Sequence, residues 1–224
     1  MKTCVISQSN YIPWKGYFQM IAEADVFVFY DTVQFTKRDW RSRNKIMTPR
    51  GPIWLTIPVG GNRDRRIDEV TLPNGEWREN HIETVRRIYS YTEHIGDLES
   101  ILEPIYTNEK IVLLSDFNQT IIRKISEYLE IDTVFMNSSD FEIEGDKTER
   151  LIRICREVNA DVYLSGPAAK NYIKNEFDNS GIELKWMKYG PFEEYEQCGP
   201  NFSHEVSIID TIAVLGKDTI THIQ

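Results

Sequence analysis

The chain predicts an α/β fold, a largely parallel sheet with flanking helices, on three observations. Short runs rich in β-branched and aromatic residues alternate with stretches whose apolar residues recur at helical spacing. A strand, a loop, a helix and a second strand follow one another at the start, and the same order returns in the last third. At 224 residues and 41% hydrophobic content, the chain can bury a sizeable core.

Residues 3–7 form a short apolar run with strand character. Residues 14–24 carry Tyr17, Phe18, Ile21 and Ala22 at helical spacing, and Pro13 suits the first turn, where its missing N–H costs nothing. Residues 8–12 are then a loop at the carboxyl end of the first strand, where open α/β sheets bind ligands. Residues 25–30 read as a second strand, and residues 54–59 as another after a turn at 49–52. The middle is helical: residues 77–91 and 110–130 have period-3.6 apolar spacing that serves core packing. Residues 133–136 are a strand, 146–158 a helix, 161–164 a strand ending at Ser165-Gly166-Pro167, 183–187 a strand, and 206–215 a short helix. No linker, repeat or low-complexity run interrupts this order. The expectation is one Rossmann-like domain over residues 1–224, with the first strand near the sheet centre and a helical insert at 77–130. Alternation fixes the class and leaves the strand order open.

A net charge of −9 argues against general nucleic-acid binding, but the charge is uneven. Between positions 37 and 66, nine basic residues face two acidic ones, a local surplus of seven positive charges. Such an anion-attracting island suits a sugar-nucleotide pyrophosphate, or less readily the end of a tRNA acceptor; for Arg63, Arg65 and Arg66, a solvated Arg-rich loop fits equally well. No apolar run reaches transmembrane length and no signal-type block opens the chain, so a cytoplasmic protein is expected. Cys4, Cys155 and Cys198 are odd in number and widely spaced, which disfavours a disulfide framework or zinc site. His81, His94, His204 and His222 are scattered and predict no metal centre. P-loop, dinucleotide, zincin and α/β-hydrolase signatures are absent, and the sequence names no cofactor.

Candidate site residues cluster at the expected carboxyl ends. Gln8 can hydrogen-bond a sugar hydroxyl or amide, or cap its loop. Tyr11, Trp14 and Tyr17 can stack on a base or sugar face, whereas Phe18 and Ile21 look like core. Asp31 can act as a general base toward an amine, or as a turn cap, with Gln34 beside it. Arg38, Arg43 and Asn44 suit a phosphate clamp, and Trp40 either stacks between them or anchors the segment. Lys147 opens a helix and can meet an anion there or stay solvated. Ser165 and Gly166 can hold a phosphate or carbonyl, or form a plain turn. His204 is the one histidine suited to acid–base work. If both strand–helix–strand units present loops at one sheet edge, Gln8, Tyr11, Trp14, Asp31, Gln34, Arg38, Arg43 and Ser165 converge on one cleft, and a sugar nucleotide binds at the Arg38 and Arg43 face.

The segments Gln8-Ser9-Asn10-Tyr11-Ile12-Pro13-Trp14-Lys15-Gly16-Tyr17-Phe18, Tyr30-Asp31-Thr32-Val33-Gln34-Phe35 and Arg43-Asn44 resemble the WbqC-like family of bacterial proteins. Further family-like segments run from Asp146 to Leu151, from Tyr163 to Gly166 with Tyr172 following, and from Phe202 to Asp210. Ser9 stands where the family usually has Pro. The resemblance adds Tyr172, Gln197, His204 and Asp210 as site residues. It implies work in O-antigen or other surface-polysaccharide (lipopolysaccharide) assembly: a transferase adding an acyl or aminoacyl group, glycine for some members, to a nucleotide-linked amino sugar, with ATP or aminoacyl-tRNA supplying the activated donor. A non-catalytic sugar-nucleotide-binding protein is the alternative, because no nucleophile with a partnered base is legible. By topology alone, Trp14-Lys15-Gly16-Tyr17 is also placed like the His-x-Gly-His signature of nucleotidylyltransferases, where a glycine lets the nucleotide approach.

Overall fold

The computed structural model describes residues 1–173 and 175–224. In chain order its elements are β1 (Thr3–Ser7), α1 (Lys15–Ala22), β2 (Val26–Phe29), β3 (Arg43–Ile46), β4 (Ile53–Thr56), α2 (Trp77–Tyr89), α3 (Ile95–Tyr106), α4 (Leu114–Tyr128), β5 (Val134–Asn137), α5 (Lys147–Glu157), β6 (Val162–Ser165), β7 (Glu183–Trp186) and α6 (Ile208–Leu215). Five strands form a parallel sheet in the order β5-β2-β1-β6-β7, so the first strand is its centre. The structure is α/β and Rossmann-like.

Period-2 alternation divides the core. Val5, Phe27 and Phe29 pack on one face with α1, α2, α3, α4 and α6, whereas Cys4, Ile6, Val26, Val28 and Tyr30 pack on the other with α5. Strands buried on both faces lack a polar side, which is why β2 reads as the unbroken run Val-Phe-Val-Phe. Helix α5 is fixed at its start by a capping box: Asp146 accepts from Thr148 N and Glu149 N, and Glu149 accepts from Asp146 N.

Two elements differ from the sequence expectation. Residues 43–46, assigned to no element from the sequence, are a strand, and pair antiparallel with β4 as a separate hairpin outside the parallel sheet. Their period-2 signal is carried by Arg43 and Lys45 outward and Asn44 and Ile46 inward, and three of these four side chains are polar, which hides it. Helix α3 lies between the two expected helices; its Leu98, Ile101, Leu102 and Ile105 stripe is buried although Pro104 sits inside it. Among the described residues no helix is long and apolar enough to cross a membrane.

Candidate functional site

Strands β1 and β6 are neighbours, but the segments that leave their carboxyl ends pack on opposite faces: α1 through Phe18 and Ile21 on one, the 3₁₀ turn Pro167–Asn171 through Ala169 on the other. The winding reverses there, and a crevice opens between the two strand ends, the place where doubly wound sheets bind ligands. A cleft of about 760 Å³ occupies it. Gln8, Tyr30, Gln34, Lys147, Arg150, Ser165, Gly166 and Tyr172 line it.

The cleft is built from both halves of the chain. Gln8 is fixed by its carboxamide oxygen, which accepts from Arg41 Nη2, and its backbone carbonyl accepts from Tyr17 Oη at 3.0 Å. Its Nε2 is then the group it can offer a ligand. Gln34 Nε2 donates to the Arg63 carbonyl at 3.1 Å. Lys147 Nζ lies 3.5 Å above the Tyr172 ring, and Arg150 Nε donates to the Gly145 carbonyl at 2.9 Å while its guanidinium also reaches the Tyr30 hydroxyl. The first-turn amides of α5 are satisfied by Asp146, so an anion here meets Lys147 and Arg150 rather than the helix terminus. Ser165 is buried and its Oγ donates to Tyr163 Oη at 3.3 Å.

Other residues singled out from the sequence lie elsewhere. Tyr11 is fully buried and hydrogen-bonds Tyr106 Oη and His81 Nδ1, a core triad in which burial raises the Tyr11 pKa and lowers that of His81 to about 4. Tyr17 packs on Phe18 and Phe27 and offers no face to a ligand. Asn44 Nδ2 donates to the Ile12 carbonyl at 2.8 Å and so holds a residue with φ of 36° in the loop after β1. Asp31 accepts from Ser9 N at 2.8 Å and Gln119 Nε2 at 3.0 Å; burial raises its pKa, and it faces a separate cavity of about 130 Å³. Trp14 and Trp40 line a further pocket of about 390 Å³ with Asn10, Asn44 and Glu205. Arg38 is exposed, and Arg43 stacks on Trp54 with its Cζ 4.2 Å from the ring centroid. Of the eight residues expected to converge, the structure brings Gln8, Gln34 and Ser165 to the cleft and places Tyr11, Trp14, Asp31, Arg38 and Arg43 outside it.

A profile of the WbqC-like protein family matches residues 8–222. The chain belongs to the WbqC-like family. It is also 39% identical over 221 residues to the uncharacterized protein Rv1507c of Mycobacterium tuberculosis, covering 97% of this chain and 96% of that one. No solved structure matches it.

The geometry of this WbqC-like chain adds residues that the sequence did not single out. Arg150 follows Lys147 by three positions on α5, so the two cations share a helix face, a spacing that the sequence offered. Arg41 joins Gln8 to Asn10, whose Oδ1 accepts from Arg41 Nη1 at 2.6 Å, and pairs with Asp39 at 3.5 Å. Lys15 is 1% exposed, its Nζ has no hydrogen-bond partner among the described residues, and it lies 4.9, 5.0 and 5.7 Å from the ring centroids of Phe192, Tyr195 and Phe202. Burial lowers its pKa to about 8, against the opposing pull of Asp210. Its signal was a helix without a solvent face: Lys15 to Ile21 are all buried.

His204 belongs to the same cluster, 4.6 Å from the Phe202 ring, with its Nδ1 buried and without a hydrogen-bond partner among the described residues; burial and then Lys15 lower its pKa. Gln197 and Asp210 are bonded to each other here at 2.7 Å. Gly16 is covered by the indole of Trp14, so no nucleotide approaches its backbone as the His-x-Gly-His analogy would require. Gly16→Ala is expected to push that ring aside and cost about 1 kcal/mol through overpacking. Urea denaturation reads this, and an unchanged midpoint would show that the indole moves freely.

Proposed function

We propose that this chain is a transferase of surface-polysaccharide assembly that binds a nucleotide-linked amino sugar in the cleft between β1 and β6 and joins an acyl or aminoacyl unit, such as glycine, to its amino group. The observation that carries the reading is the meeting of Lys147 and Arg150 with the rings of Tyr30 and Tyr172 at the switch point of a parallel sheet. Two cations suit a pyrophosphate, the rings suit a base, and Gln8 Nε2 suits a sugar hydroxyl or carbonyl. Membership of the family, with its tie to polysaccharide clusters, supports the same substrate class. Amide formation needs an activated carboxyl and the removal of an amine proton. Asp31 and His204 do not line the cleft, so the reading assigns the sugar nucleotide to the cleft and puts no proton transfer on either.

Titration with UDP- and dTDP-linked amino sugars by calorimetry tests the reading. Arg150→Ala is expected to weaken binding by about 1.5 kcal/mol, the loss of one charge-assisted contact. Equal binding by parent and variant at low salt would remove the phosphate role of the cleft. A second reading, a sugar-nucleotide-binding protein without chemistry, is favoured by one observation: Ser165 Oγ donates to a tyrosine and not to a base, and Asp146, the one carboxylate among the described residues of the cleft, is spent on capping α5. Tight sugar-nucleotide binding with no amide product from any activated glycine donor would select it.

A further inference from the structure

Outside the cleft, the least economical surface is the β3–β4 hairpin. Trp40 and Trp54 are 43% and 42% exposed, with ring centroids 5.6 Å apart and planes tilted by 35°. Two large aromatic faces left side by side in water form a contiguous apolar patch, the kind of surface that marks an interaction site. Cations surround them: Arg43 stacks on Trp54, and Lys45 Nζ lies 5.4 Å from the same ring centroid. Asp39 and Glu205 are the nearby acids, the latter 3.7 Å from Lys45. Trp40 also lines the pocket of about 390 Å³ together with Trp14, Asn10, Asn44 and Glu205, so the platform and this chamber share a wall.

We infer that this face binds the single-stranded end of an RNA, its bases stacking on Trp40 and Trp54, its phosphates meeting Arg43 and Lys45, and its terminal nucleoside entering the Trp14 pocket. Aromatic faces interleaved with cations are the usual platform for single strands. A neutral glycan also stacks on tryptophan, but it gains nothing from two cations held against the ring. Of the basic residues between positions 37 and 66, Arg43 and Lys45 are the two held against the Trp54 ring, and they are the argument for an anionic strand. The inference rests on the transfer reading only for what the strand carries: the RNA end would present the aminoacyl ester. In that step the sugar's amine nitrogen forms the C–N bond, the ester C–O bond breaks, and the amine proton leaves with the ribose hydroxyl.

The test is quenching of tryptophan emission by a short single-stranded RNA at low salt, with a neutral hexose oligosaccharide and a DNA duplex as comparators. The expected result is saturable quenching by the single strand, with a log–log salt slope of roughly −1.4 to −2.1 for two or three phosphates. Trp54→Ala is expected to weaken binding about tenfold, Trp54→Tyr to retain most of it, and Arg43→Gln to lower the salt slope. Both later variants keep the hairpin's shape, so the outcome stands even if Trp54→Ala folds poorly. Absence of quenching by RNA, or stronger and salt-independent quenching by the oligosaccharide, would overturn the inference. Arg150→Ala is expected to leave RNA binding unchanged, so failure of the sugar-nucleotide site and failure of this face are told apart.

Discussion

Asp210→Ala is expected to destabilise the folded chain by about 3 to 5 kcal/mol, the range for removing one member of a buried, hydrogen-bonded charge network. Asp210 is 1% exposed. Its Oδ1 accepts from Tyr89 Oη at 2.9 Å, and its Oδ2 from Tyr195 Oη and Gln197 Nε2, both at 2.7 Å. Burial raises its pKa and the same three donors pull it back. Alanine would leave the Tyr89 hydroxyl without its acceptor, and Tyr89 has no water to turn to, being fully buried, whereas half-buried Gln197 keeps the Ser203 carbonyl. The damage would spread, because Asp210 fastens the segment carrying Tyr195 and Gln197 to α2 and α6 at once. Urea denaturation at pH 7 reads the loss, and Asp210→Asn, which keeps the shape but replaces an acceptor with a donor, should recover only part of it. A loss below about 1 kcal/mol would mean that the tyrosines find other partners.

The resemblance pointed to Asp210 as a site residue, but its structural role was not legible. A carboxylate in the first turn of an apolar helix looks the same whether it meets a ligand or three donors, one of them Tyr89 from a distant helix. The parallel sheet was legible because doubly buried strands need unbroken apolar runs, and β1, β2, β6 and the helix spacing of α1 and α5 supply them. Arg43 shows where legibility ends. Its flanking aromatics were visible in the sequence, but its partner Trp54 lies across a hairpin that local pattern did not reveal, so it was expected at the sheet edge with Gln8. The cleft was half visible. The carboxyl-end rule named Gln8 and Ser165, while the winding reversal that brings Arg150 beside them depends on strand order, which alternation leaves open.

Lys15→Met is expected to make the chain more stable at pH 7, by about 2 kcal/mol. The amine's folded-state pKa of about 8 lies below its ordinary 10.5, because burial penalises the ammonium more than Asp210 supports it. A shift of this size corresponds to about 3 kcal/mol, and cation–π attraction from the surrounding rings offsets roughly 1. Between pH 8 and 10.5 the unfolded chain keeps a Lys15 proton that the folded chain has released, so the cost of burying this amine falls across that window and the advantage of the variant shrinks with it. The neighbours do not blur this reading. The buried tyrosines, Tyr195 among them, lose a proton near pH 10 only in the unfolded chain, which acts on parent and variant alike, and burial lowers the His204 pKa away from the window. Methionine keeps the volume of the lysine stem, so no cavity term enters. Urea midpoints for parent and variant at pH 7 and pH 10 suffice: a variant less stable than the parent at pH 7 would show that the cage of Phe192, Tyr195 and Phe202 solvates the ammonium better than water does.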